Sequence, residues 1–167
     1  MRYAIIAAGE GSRLASEGID VPKPLVKIQG TPLIERLIEI FTRNGAESIS
    51  IIINSRQPAT LEFLKKMERR YRLNIVVKDT PSSMHSLHAL SPYLRGGRFC
   101  LTTVDTLFHE EEFARYIKTF KESGHDGMMA VTDFIDDEKP LYVATNSLMD
   151  ITAFCDHATE STKYISG

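Results

Sequence analysis

Met1 leads into an apolar run, Arg2-Tyr3-Ala4-Ile5-Ile6-Ala7, and the chain then breaks into Ala8-Gly9-Glu10-Gly11-Ser12-Arg13-Leu14. No other feature constrains the fold as strongly. A short run without polar alternation predicts a strand covered on both faces, as in a parallel sheet with helices above and below it. A strand that feeds a glycine loop brings backbone N–H groups to where they can close on phosphate oxygens. Pro22-Lys23-Pro24-Leu25 follows shortly, so Arg13 and Lys23 supply two cations from two directions. A site built this way suits a polyphosphate, and a nucleoside triphosphate fits it best.

The rest of the chain alternates strand and helix for two-thirds of its length. After a long loop from Ala8 to about Gly30, Thr31-Pro32 predicts a helix start, with Thr31 as the cap and Pro32 in the first turn. Leu33, Leu37, Ile40 and Phe41 recur at helical spacing, and Gly45 stops the helix. Strands are expected over 48–54, 74–78 and 98–105, and a helix from Pro58 or Thr60 presents Leu61, Leu64, Met67 and Tyr71. Ser82 or Ser83 caps a short helix that is expected to end near Ser91, because Pro92 blocks its continuation. A helix over 110–122 carries three acidic residues in its first turn, where the helix dipole favours them. Beyond it the pattern turns strand-rich, with candidates over 128–134, 141–145, 151–155 and 163–166. Asp136, Asp137 and Glu138 read as a solvated turn. The expectation is an α/β chain with a doubly wound, mostly parallel sheet, helices on both faces and a strand-rich C-terminal third. No repeat or linker interrupts 1–167, which reads as a single domain.

Composition narrows the partners. A formal net charge of −2 over 167 residues gives no field for nucleic acid or an anionic membrane. No stretch approaches the roughly 20 apolar residues that span a bilayer. Cys100 and Cys155 lie in apolar surroundings without metal-ligand spacing and read as reduced thiols of a cytoplasmic protein. His85 and His88 read as surface or substrate-rim residues.

Two familiar nucleotide loops fail on residue identity. A P-loop needs four residues between its glycines and then Gly-Lys-Ser/Thr. The dinucleotide fingerprint needs a third glycine where Leu14 stands, and an acidic end to the next strand where Asn54 stands. What remains, Ala7 to Leu14 followed by Pro22 to Leu25, resembles the nucleotidyltransferases that make nucleotide sugars. Their loop reads Ala-Ala-Gly-x-Gly-Thr/Ser-Arg-Leu and is followed by Pro-Lys-Pro. That resemblance implies a Rossmann-like nucleotide-diphospho-sugar transferase fold. It also implies Mg²⁺-dependent transfer of a nucleoside monophosphate from a triphosphate to a phosphorylated small molecule such as a sugar 1-phosphate. Pyrophosphate is released, as in NDP-sugar biosynthesis.

The residues take their roles from chemistry. Ala8, Gly9 and Gly11 form the cradle, the glycines permitting positive φ and close backbone approach. Ser12 adds a hydroxyl donor. Arg13 grips the β and γ phosphates, and Lys23 reaches the phosphate under attack. If the strand order is 3-2-1-4, Asp105 lies across the crevice from the glycine loop. A carboxylate facing phosphates calls for a divalent cation, and the resemblance places a metal-binding aspartate at this strand end. Ser82 and Ser83 align with a stretch that contacts the nucleobase, although a helix-cap role serves them equally well.

The resemblance also carries a second metal aspartate from a late strand. Asp150 and Asp156 fit exposed turns better than that role. Tyr164-Ile165-Ser166-Gly167 reads as a strand being entered, so the expectation is a chain shortened at its C-terminus, with the missing ligand beyond it. Two alternatives stand beside the sugar-phosphate enzyme: a phosphocholine-type cytidylyltransferase, suggested by the serine-rich stretch, and a non-catalytic nucleotide-binding or regulatory module. The pattern allows an oligomer.

Overall fold

The computed structural model describes residues 1–9, 18, 21–134, 140–159 and 162–166. The chain divides into two compact units, Met1–Ala114 and Arg115–Gly167.

The first unit is built on four parallel strands, β1 (Arg2–Ala7), β4 (Ser48–Ile53), β5 (Leu73–Val77) and β6 (Phe99–Thr103), in the order β5-β4-β1-β6. This is the expected 3-2-1-4 order. β1 is central because its side chains are apolar on both faces, so it tolerates a strand on each side and a helix above and below. Tyr3 and Ile5 are fully buried on one face, with Ile49 and Ile51 beside them in register. Tyr3 stacks on Phe41 of helix α1 (Leu33–Arg43) at 4.5 Å between ring centroids. Phe113, at the start of helix α4 (Glu110–Glu122), stacks on Phe41 in turn. On the opposite face Ala4, Ile6 and Ile52 receive Leu90 and Leu94 of helix α3 (Ser83–Leu94). Helix α2 (Pro58–Met67) joins β4 to β5 and buries Leu64 and Met67.

Three expectations change at element ends. Thr31 does not cap α1. Thr31–Pro32 forms a strand, β3, paired with β2 (Lys27–Ile28) through a two-residue turn in which Gln29 and Gly30 both have positive φ. The Leu33 N–H is satisfied by the Val26 carbonyl at 2.9 Å, so no side-chain cap is needed. Pro92 lies inside α3, which runs on to Leu94. A proline so near the end removes one helical hydrogen bond, and burial of Leu90 and Leu94 outweighs that loss. β6 ends at Thr103, which leaves Asp105 in the following turn. The end of α1 agrees with expectation: Gly45 takes φ +75°, and the Gly45 and Ala46 N–H groups bond the Thr42 and Phe41 carbonyls. This is a Schellman ending.

The second unit carries an antiparallel sheet of β7 (Val131–Thr132), β8 (Tyr142–Thr145), β9 (Ile151–Cys155) and β10 (Thr162–Ser166), in the order β7-β10-β8-β9. β7 is much shorter than the expected 128–134. The Met128 carbonyl accepts from the Tyr116 hydroxyl, and the Phe134 N–H donates to the Thr132 hydroxyl, so the flanking backbone is committed elsewhere. Asp136, Asp137 and Glu138 lie outside the described residues. Asp150 pairs with Asn146 and Asp156 with His157, and both are exposed turn residues, as their sequence context implied. Among the described residues, no helix is long and apolar enough to cross a membrane.

Candidate active site

Lys23, in the loop after β1, is firmly anchored by its own backbone. Pro22-Lys23-Pro24-Leu25 folds as a tight 3-10 turn in which the Leu25 N–H bonds the Pro22 carbonyl at 2.7 Å. The Val26 N–H bonds the Lys23 carbonyl, and Pro24 is buried. With φ preset at both prolines, the Lys23 backbone has little freedom left. Its ammonium donates to the Asp105 carboxylate at 2.5 Å.

Asp105 is set by the turn that follows β6. Val104, just before it, is buried and ties that turn to β1 through its N–H to the Ile6 carbonyl at 3.0 Å. The Thr103 and Thr106 hydroxyls share a hydrogen bond across the turn. Burial pushes the Asp105 carboxyl up. The hydrogen bonds from Lys23 and Thr103 and the Lys23 charge outweigh it and hold the group below the usual carboxylate range. The pair is half open to water, with side-chain exposures of 33% for Lys23 and 46% for Asp105.

The start of the glycine loop is tied from behind. Asn54, the residue after β4, donates its amide to the Ala8 carbonyl at 2.9 Å and to the Gly9 carbonyl at 3.4 Å. Gln57, at the cap of α2, donates to the Ala7 carbonyl at 3.3 Å and the Gly9 carbonyl at 3.0 Å. Gly9 does not use positive φ. Among the described residues, a Cβ built there would meet nothing within 4 Å. The described residues therefore place no steric demand for glycine at this position. Gly11, Ser12 and Arg13 lie outside the described residues.

Ser82 is the N-cap of α3: its hydroxyl accepts the His85 N–H and also bonds the His85 ring at 2.8 Å. Ser83 is exposed in the first turn, as are His85 and His88 further along. These residues follow β5, whereas Asp105 follows β6, so they leave the C-terminal edge of the sheet from its two outer strands. The structure thus joins Lys23 to Asp105 and does not bring the serines onto that pair. Cys100 is a free thiol on β6 whose burial pushes it up to about 12, and Cys155 is also free. Asn54 and Gln57 were not picked out from the sequence. Asn54 carried a signal, a polar residue directly after the apolar run Ile51-Ile52-Ile53, whereas Gln57 carried none.

Among the described residues, no three His, Cys, Asp or Glu side chains converge as a ready-made metal cage. Asp105 nonetheless presents an ionised, half-exposed oxygen donor that already attracts a cation. That donor suits a magnesium ion held by one carboxylate and completed by phosphate oxygens and water.

The sequence profile of the MobA-like NTP transferase domain matches residues 3–163. The chain belongs to this family. The 2-aminoethylphosphonate cytidylyltransferase of Lancefieldella rimae is 30% identical over 115 residues, which cover 64% of this chain and 44% of that protein. The mannose-1-phosphate guanyltransferase of Saccharomyces cerevisiae is 37% identical over 75 residues, covering 45% of this chain and 21% of that one. The chain thus matches less than half the length of these relatives. Among solved structures, the inositol-1-phosphate CTP transferase from T. maritima superposes with a TM-score of 0.73 at 22% identity, over 99% of this chain and 68% of that one. This likeness establishes the α/β fold.

Proposed function

We propose that this member of the family binds a nucleoside triphosphate beyond the ends of β1 and β6. It would transfer the nucleoside monophosphate to a phosphomonoester acceptor, such as a sugar 1-phosphate, with release of pyrophosphate. The observation that carries this reading is the Lys23–Asp105 contact, formed by residues 82 apart in sequence at the end of the sheet where the glycine loop begins. Ligands of such sheets bind at the point where strand order reverses, and here that point lies between β1 and β6.

The acceptor phosphate has a second pKa of about 6 and is mostly dianionic at neutral pH. Its oxygen attacks the α-phosphorus in line, and the bond from that phosphorus to the bridging oxygen breaks. No side-chain base is required. The work left to the protein is to hold two anions together and absorb their repulsion. Lys23 supplies a compact charge at the phosphate under attack, Arg13 a fork for the outer phosphates, and Ala8, Gly9, Gly11 and Ser12 the cradle. Ser82 and Ser83 are assigned to the nucleobase edge, Ser82 in addition to its capping role. Asp105 would hold Mg²⁺, which when bound neutralises phosphate charge. A cytoplasmic site of action suits the reduced thiols.

A pyrophosphate-release assay tests this reading. CTP, GTP, UTP and ATP are each offered with mannose 1-phosphate, inositol 1-phosphate, phosphocholine and 2-aminoethylphosphonate, with and without MgCl₂. One productive pair that depends on magnesium supports nucleotidyl transfer, and a phosphomonoester in that pair supports the acceptor class proposed, whereas turnover of the phosphonate alone would overturn it. Calorimetric binding of a triphosphate without turnover of any pair would favour the non-catalytic module instead.

A further inference from the structure

We infer that Asn54 and Gln57 are positioning residues that aim the backbone of residues 8 and 9 at the triphosphate. This inference rests on the nucleotide-binding reading above.

The two side-chain amides sit behind the loop with exposures of 3% and 7% and together take the carbonyls of Ala7, Ala8 and Gly9. Asn54 is itself fixed, because its Oδ1 accepts the Arg56 N–H at 3.0 Å. A peptide group is planar, and none among the described residues is cis. Turning the Ala8 carbonyl back toward Asn54 therefore turns the Gly9 N–H forward. That N–H donates to no described residue, and no described residue lies within 4 Å of a Cβ built at Gly9. Three carbonyls drawn backwards also remove three acceptor oxygens from the face that an anion would meet.

Gln57 makes the case for function over stability. Its Oε1 is buried without a hydrogen-bond partner among the described residues. A buried oxygen left unpaired destabilises the fold, and an apolar side chain of similar shape would relieve that cost. What the apolar side chain could not do is donate to Ala7 and Gly9.

The test uses Gln57→Met and Asn54→Asp in the full chain. Gln57→Met fills the same volume and removes both the donor and the unpaired oxygen. Asn54→Asp keeps the acceptor for Arg56 and loses the donor. Calorimetry is run with inorganic tripolyphosphate, CTP and GTP in magnesium, alongside thermal denaturation. The expected result for Gln57→Met is an unchanged or raised melting temperature together with a loss of about 3- to 10-fold in tripolyphosphate affinity, the size of one or two neutral hydrogen bonds. KM for the nucleotide should rise by a similar factor while KM for the acceptor stays put. Asn54→Asp should weaken tripolyphosphate binding further. Wild-type protein that binds tripolyphosphate, beside a folded Gln57→Met variant that binds it equally well, overturns the positioning role alone. Wild-type protein that binds neither nucleotide nor tripolyphosphate overturns the nucleotide reading beneath it.

Discussion

Replacing Lys23 by Met should separate stability from turnover. The Lys23 ammonium and Asp105 carboxylate are 2.5 Å apart, yet their side chains keep 33% and 46% of their exposure. Pairs this open to water contribute about 0–1 kcal/mol, because solvent screens the attraction and two side chains lose freedom. For a chain of 167 residues, 1 kcal/mol corresponds to a melting shift of roughly 2–4 °C. Loss of one charge aimed at a transferring phosphate costs about 100- to 1,000-fold in turnover. Lys23→Met should therefore melt within about 4 °C of wild type and release pyrophosphate at least about 100-fold more slowly. Scanning calorimetry and the pyrophosphate assay measure the two quantities on one preparation. A melting loss above roughly 8 °C, twice the upper bound, would make the pair a structural clamp. Turnover within twofold of wild type would refute the assigned role outright. The pH dependence has a definite sign. Asp105 is held below its ordinary range when folded, so its contribution is present above the unfolded carboxylate value of about 3.9 and fades as pH falls through the lower folded value. The small melting gap between wild type and Lys23→Met should start to close below about pH 4.

Other outcomes follow from the fold. Leu90→Ala opens a cavity between α3 and the sheet, where Leu90 is fully buried against Ala4, Ile6 and Ile52, and should cost about 2–5 kcal/mol in urea denaturation. Gly45→Ala forces a side chain into φ +75° at the end of α1 and should cost about 1–2 kcal/mol by the same measurement. Cys100, raised to about 12 by burial, should resist iodoacetamide at pH 8 in a Cys155→Ser background and react only once urea unfolds the chain.

Much of the fold was legible in the sequence for local reasons. Arg2–Ala7 has no polar face, so it had to be covered on both sides, and it is the central strand. Gly45 marked a helix end because a left-handed residue there favours glycine. The acidic first turn of α4 was equally plain. Errors fell where a distant partner outweighed local preference. Pro92 stays helical because Leu90 and Leu94 bury themselves on strands far away in sequence. Thr31 loses its capping role because Ile28 pairs with it and Val26 supplies a backbone acceptor.

Taken alone, the residues of the glycine loop and Pro22–Leu25 pointed to phosphate chemistry, since backbone donors and two cations at such spacing suit an anionic ligand. They could not determine which groups meet. Whether Lys23 reaches Asp105, and whether Asn54 and Gln57 hold the loop from behind, depends on parallel strands laying residues tens of positions apart side by side. Strand order, a property of the packed sheet, decides those contacts, because hydrogen-bonded neighbours in a parallel sheet are chosen by how the covering helices bury both faces.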